Sequence, residues 1–128
     1  MGGKRILIVE DDGIIALAIA ELLEKEGYQV SDMFYSGEQV LLTLEHSNMP
    51  DLILLDIGLS GSINGIEVAR QIRRKISIPI IFVTAYTSDK ILNEMNEVAP
   101  DGVIHKPFVN ISLLNLIHKA IGKNVAST

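Results

Sequence analysis

Cysteine is absent from the chain, which excludes disulfides and any thiolate metal site. No apolar run reaches the roughly 18 residues that a membrane span needs, and no signal-peptide pattern opens the sequence. An excess of basic residues is missing too. Eleven Lys and Arg stand against sixteen Asp and Glu, a net charge of −5, which speaks against a nucleic-acid surface because phosphate contacts need clustered cations. There is no low-complexity tract, so the composition is not that of a disordered chain. Gly61 to Gly65 lacks the G-x-G-x-x-G spacing and does not follow the first strand, so it is no dinucleotide fingerprint. Asn110-Ile111-Ser112 fits a glycosylation sequon, but without a secretion signal it reads as chance. What is there suits one domain: 128 residues, 48% of them apolar, are enough for a single core. The expectation is a cytoplasmic domain over residues 1–122, with 123–128 as a tail or the start of a linker.

Apolar patterning predicts ten elements. Lys4 to Glu10 is a β-branched run and reads as a buried strand. Ile14 to Glu26 repeats apolar residues at helical spacing, with Ile15, Ile19 and Leu22 on one face and Gly27 as the stop. Gln29 to Phe34 is a second strand. Ser36 opens a helix, with Gln39 completing a capping box; Val40, Leu41 and Leu44 point inward, and the helix fades near His46. Asp51 to Asp56 is the third strand. Asn64 to Lys75 is a helix with Val68, Ala69 and Ile72 as its buried stripe. Pro79 to Val83 is a strand, Ser88 to Val98 a helix capped by Thr87 or Ser88, and Gly102 to His105 a short fifth strand. Asn110 to Ile121 is the last helix, closed by Gly122. Strands of Ile, Val and Leu without alternation are covered on both faces, hence parallel. Right-handed crossovers then make a flavodoxin-like doubly wound (βα)5 sandwich, an α/β fold with strand order 2-1-3-4-5.

In such sheets ligands sit beyond the carboxyl ends of the strands. Strand one ends in Glu10, Asp11 and Asp12, strand three in Asp56, strand four in Thr84, and strand five in His105, Lys106 and Pro107. With strands one and three adjacent, carboxylates crowd one spot, and like charges that close repel unless a cation sits among them. Oxygen ligands without Cys or His select a hard ion, Mg²⁺ or Mn²⁺. Lys106 adds a mobile point charge and Thr84 a hydroxyl. Acids, cation, lone Asp, hydroxyl and Lys describe a site that takes a phosphoryl group onto an aspartate.

The motifs IVEDD, LILLD, FVTAY and HKPF, in that order, resemble the receiver domain of response regulators in two-component signalling. The resemblance spans Lys4 to about Ile121. It implies Asp56 as the phosphoacceptor, Asp11 as a direct metal ligand, Glu10 acting on the metal through water, and Gly58 as a ligand through its carbonyl. It implies Thr84 as the switch hydroxyl, Lys106 as the conserved-type lysine, and a cis bond before Pro107. The implied partners are a histidine kinase or phosphotransfer protein as donor, and an output domain or downstream protein on the face of the fourth helix, fifth strand and fifth helix. A homodimer is a further expectation; direct nucleic-acid or membrane binding is not expected.

The pattern also departs from the family. Val103 stands where an aromatic residue usually swings inward with the Thr, and Tyr86 is the aromatic that would cover the site instead. The loop from Asp56 to Asn64-Gly65 is about one residue longer than the common pattern, with Ser60 where many members have Pro, and the Asp56–Thr84 stretch is slightly short. Asp12 has no place in the family pair and is well set to cap the first helix. His46, His105 and His118 read as surface or rim residues, and the Met residues as core filler. An aspartate-nucleophile phosphohydrolase would want an Asp where Gly58 stands. A flavin or nucleotide binder would want a phosphate cradle where three acids stand. An interaction module that takes no phosphoryl group is kept as the alternative, on account of Val103. After the last helix only Gly122 to Thr128 remain, which reads as a stand-alone receiver or a piece of a longer chain.

Overall fold

The computed structural model describes residues 3–44, 49–59, 64–86 and 88–123. The elements are β1 (Arg5–Val9), α1 (Gly13–Lys25), β2 (Gln29–Phe34), α2 (Gly37–Leu44), β3 (Leu52–Leu55), α3 (Gly65–Lys75), β4 (Ile80–Thr84), α4 (Asp89–Glu97), β5 (Gly102–His105) and α5 (Asn110–Lys123). The five strands form one sheet in the order β2-β1-β3-β4-β5, with every neighbouring pair parallel. This is the doubly wound sandwich expected from the strand composition.

Successive strand residues point to opposite faces, and each face holds its own core. Ile6, Ile8, Leu52, Leu54, Ile81 and Val83 pack against α1 and α5. Leu7, Val9, Ile53, Leu55, Ile80 and Phe82 pack against α2, α3 and α4. All four residues of β3 are buried. Each full burial is worth about 1.5–3 kcal/mol as an upper bound, so the strand's apolar residues can offset a carboxylate held at its end.

Several boundaries differ from the expectation. The buried stripe of α1 is Ala16, Ile19, Ala20 and Leu23, with Ile15 and Leu22 on its flank; two small alanines let the helix lie close to the sheet. Helix α5 runs past Gly122 to Lys123, so that glycine is inside the helix and does not end it. β4 begins at Ile80, and Asp51 and Asp56 lie just outside β3. Helix α2 begins at Gly37, and Gln39 Oε1 accepts from the backbone N–H groups of Tyr35 and Ser36 at 2.9 and 3.2 Å, the reach-back half of a capping box. Ser88 caps α4. The Leu44 side chain, His46, Ser60, Gly61 and Thr87 lie outside the described residues.

The carboxyl edge of the sheet is tied together one step beyond the strands. The backbone N–H of Glu10 donates to Phe34 O, that of Asp56 to Val9 O, and that of Lys106 to Thr84 O, at 2.9, 2.9 and 2.8 Å. Residues that are formally loop thus inherit the rigidity of the sheet.

Candidate functional site

Glu10, Asp56 and Thr84 are the buried polar residues of the described chain, 2%, 6% and 0% exposed. All three stand at strand ends on one rim. Carboxylates are rarely buried without partners, and here each oxygen has one. Lys106 Nζ donates to Glu10 Oε1 at 2.6 Å and to Asp56 Oδ2 at 3.3 Å. The backbone N–H of Asp12 donates to Glu10 Oε2, and that of Gly58 to Asp56 Oδ1, at 3.1 and 3.2 Å. The two backbone donors were not foreseen, since a spacing pattern carries no information on amide direction.

The charges do not balance. Burial, first of all, raises the Glu10 carboxyl from 4.5 to about 7; Lys106 pulls it down and Asp56 pushes it up. Burial works against the Lys106 ammonium, but its bond to Glu10 and the charges of Asp56 and Glu10 outweigh that, and its pKa is raised. One ammonium serves two buried carboxylates, and the exposed Asp11 completes the group. An oxygen from each of Glu10, Asp11 and Asp56 lies within 4.8 Å of the others. An all-oxygen set with surplus negative charge fits a hard divalent cation. With both Glu10 oxygens already engaged, Asp11 is the most open of the three.

The remaining expected residues fall as follows. Asp12 Oδ1 accepts from the N–H groups of Ile14 and Ile15 at 3.0 and 3.2 Å, so Asp12 is the N-cap of α1. Thr84 Oγ1 accepts from the Tyr86 N–H at 3.0 Å. The Tyr86 ring lies against Gly58, within 3.1 Å of where a Cβ would stand there. Lys106-Pro107 is cis. Val103 pairs in register with Phe82 and packs on the core beneath α2, α3 and α4, so it is not part of the rim. His105 is exposed beside Lys106. His118 is remote from the rim and shares a 2.7 Å hydrogen bond with Tyr28.

A family model for the response regulator receiver domain matches residues 6–118. Among solved structures, the chain is similar to the N-terminal domain of a response regulator/sensory box/GGDEF three-domain protein from Carboxydothermus hydrogenoformans. They share 31% identity and a TM-score of 0.88 over 97% of this chain and 98% of that one. It is also similar to the signal receiver domain of a modulated diguanylate cyclase from Desulfovibrio desulfuricans G20, at 31% identity and a TM-score of 0.86 over 98% and 99% of the two chains. A CheY-like response regulator receiver domain protein from Methanospirillum hungatei JF-1 gives 28% identity and a TM-score of 0.88 over 99% and 100%.

Proposed function

Since the chain belongs to the response regulator receiver domain family, we propose that it takes a phosphoryl group from a phosphohistidine onto Asp56 and changes its partner surface in consequence. One observation carries the reading: Asp56 is buried at the end of β3 yet held by Lys106 Nζ at 3.3 Å within an acid cluster that one lysine cannot neutralise. A structural carboxylate gains nothing from such a surplus of negative charge. A nucleophile beside a cation site does.

Asp11 and Asp56 would hold Mg²⁺ or Mn²⁺, with Glu10 acting through water and Gly58 offering its carbonyl. Such an ion supplies charge neutralisation at the phosphoryl oxygens. The chain's own groups do the rest. An Asp56 carboxylate oxygen attacks phosphorus in line, the P–N bond to the donor histidine (protonated at its other ring nitrogen) breaks, and the departing nitrogen keeps the electron pair, which leaves neutral imidazole. Lys106, a point charge on a flexible stem, follows the charge from the Asp56 carboxylate to a phosphoryl oxygen. Thr84 can donate its hydroxyl hydrogen to a second phosphoryl oxygen. Tyr86, seated over Gly58, limits water access to the aspartyl phosphate. The chemistry is performed on the chain itself: receiver domains are signalling modules, not turnover enzymes.

The donor is a histidine kinase or phosphotransfer protein, and the output a domain or protein that reads the face of α4, β5 and α5, in the cytoplasm. Incubation with acetyl phosphate and Mg²⁺, followed by intact-mass measurement, tests the reading. A gain of one phosphoryl group, absent without metal and absent in Asp56→Asn, is the expected result. No gain in folded, Mg²⁺-supplied protein would leave the interaction-module reading in its place.

A further inference from the structure

Helix α3 normally would gain from a strong helix former at its first position, and Gly65 is the opposite. Its φ is not in the left-handed region that would demand glycine. The reason is space. A Cβ on Gly65 would stand 2.1 Å from the backbone carbonyl oxygen of Asp56, 2.8 Å from its carbonyl carbon and 2.8 Å from the Cα of Ile57. The Gly65 N–H also donates to Ile57 O at 2.9 Å, an oxygen that accepts from Leu59 N–H as well. The helix start is therefore in direct backbone contact with the acceptor's own peptide.

Gly3 is the other described glycine whose Cβ would stand against backbone, 2.0 Å from Gly27 O, at the amino edge of the sheet and away from the acid cluster; the rest behave differently. At Gly58 a Cβ would meet the ring of the half-exposed Tyr86, and at Gly102 the side chains of Leu116 and Ile81, while at Gly122 it would meet nothing. Those neighbours can turn aside. At Gly65 neither partner can. Ile66, Val68, Ala69 and Ile72 anchor α3 in the core. Asp56 is tied to Val9 through its backbone N–H. Ordinary contact would require the gap to open by more than about 1 Å, and a displacement of that size at a reacting group can cost on the order of 100-fold in rate.

We propose that Gly65 is a positioning residue for Asp56: the bare first turn of α3 lets the Asp56–Ile57 peptide lie against it, and this contact aims the carboxylate. The inference rests on the receiver reading above. Three proteins test it: wild type, Gly65→Ala, and Ile72→Val, which loosens the same helix two turns further on without touching the site. Each is measured for thermal unfolding, for Mg²⁺ affinity by calorimetry, and for acetyl-phosphate phosphorylation rate at saturating Mg²⁺. Gly65→Ala is expected to bind Mg²⁺ at least tenfold more weakly and to react at least tenfold more slowly at saturation. Ile72→Val is expected to stay within about twofold of wild type at a comparable loss of Tm. A Gly65→Ala protein within threefold of wild type in both quantities overturns the proposal. So does an equal functional loss in Ile72→Val. If Gly65→Ala does not fold, the three are compared in trimethylamine N-oxide, which favours the compact state. Failure to fold there also overturns it, since the contact then serves the fold rather than the site. If wild type takes no phosphoryl group, the receiver reading fails, and Gly65 is judged on Mg²⁺ affinity alone by the same limits.

Discussion

Replacing Lys106 by Met removes the ammonium that lies 2.6 Å from Glu10 and 3.3 Å from Asp56. At an effective dielectric of about 20, those two attractions are worth about 6 and 5 kcal/mol gross. Lys106 is only 18% exposed, so its own desolvation cancels part of this. Breaking a buried pair by deleting one partner typically costs about 3–5 kcal/mol, because the other charge is left uncompensated. The cost should depend on pH in a defined way. Glu10 titrates near 7 in the folded protein against 4.5 as the reference. Its ionised form is therefore disfavoured by folding: the penalty is absent below about pH 4.5, grows through the interval, and is complete above about pH 7. Metal-free wild type should lose stability as pH rises from 4.5 to 7. At pH 8 Lys106 answers two carboxylates, and Lys106→Met should unfold about 10–15 °C lower, corresponding to about 3 kcal/mol. At pH 5.5 Glu10 is largely neutral and the difference should shrink to less than half. Mg²⁺ should narrow the gap at pH 8, since it supplies compensating charge to the same oxygens. Differential scanning calorimetry at both pH values, with chelator and with Mg²⁺, reads all of this. A penalty equal at pH 5.5 and pH 8, and indifferent to Mg²⁺, would show that Lys106 is not the counter-charge of this cluster.

Three further outcomes follow from the same geometry. Asp11→Asn removes an exposed carboxylate, so stability should stay within about 0.5 kcal/mol while Mg²⁺ affinity drops at least about tenfold; calorimetric titration separates the two. Tyr86→Ala uncovers Gly58 and should shorten the lifetime of the phosphorylated state several-fold, read as loss of the phosphoryl mass after donor removal; an unchanged lifetime sinks the shielding role of Tyr86. Among the described residues, Ala99 is the non-glycine residue with positive φ, at 54°. Ala99→Gly should raise stability by about 0.5–1 kcal/mol in urea unfolding, the strain relieved exceeding the added entropy of the unfolded chain.

Much of this protein was legible in the order of its residues. β2 and β5 begin and end where the apolar runs and their flanking turns predict. The parallel sheet follows from strands without alternation, because a strand covered on both faces has no polar side to show. The rim residues Glu10, Asp11, Asp56, Thr84 and Lys106 were legible for the same reason: a parallel sheet brings every strand's carboxyl end to one edge, so position along the chain translates directly into position in space. Asp12, one of three consecutive acids and well set as a helix cap, is turned by the structure to the amides of α1 and away from the acid cluster. The structure alone decided which groups touch. That Lys106 bridges Glu10 and Asp56, that amides of Asp12 and Gly58 complete their bonding, that burial lifts Glu10 to about 7, and that Gly65 must be bare against the Asp56 peptide are facts of approach between residues up to 96 positions apart. Periodicity reports which face a residue takes within its own element. It carries no distance between elements, and hydrogen bonding, desolvation and steric exclusion all depend on that distance.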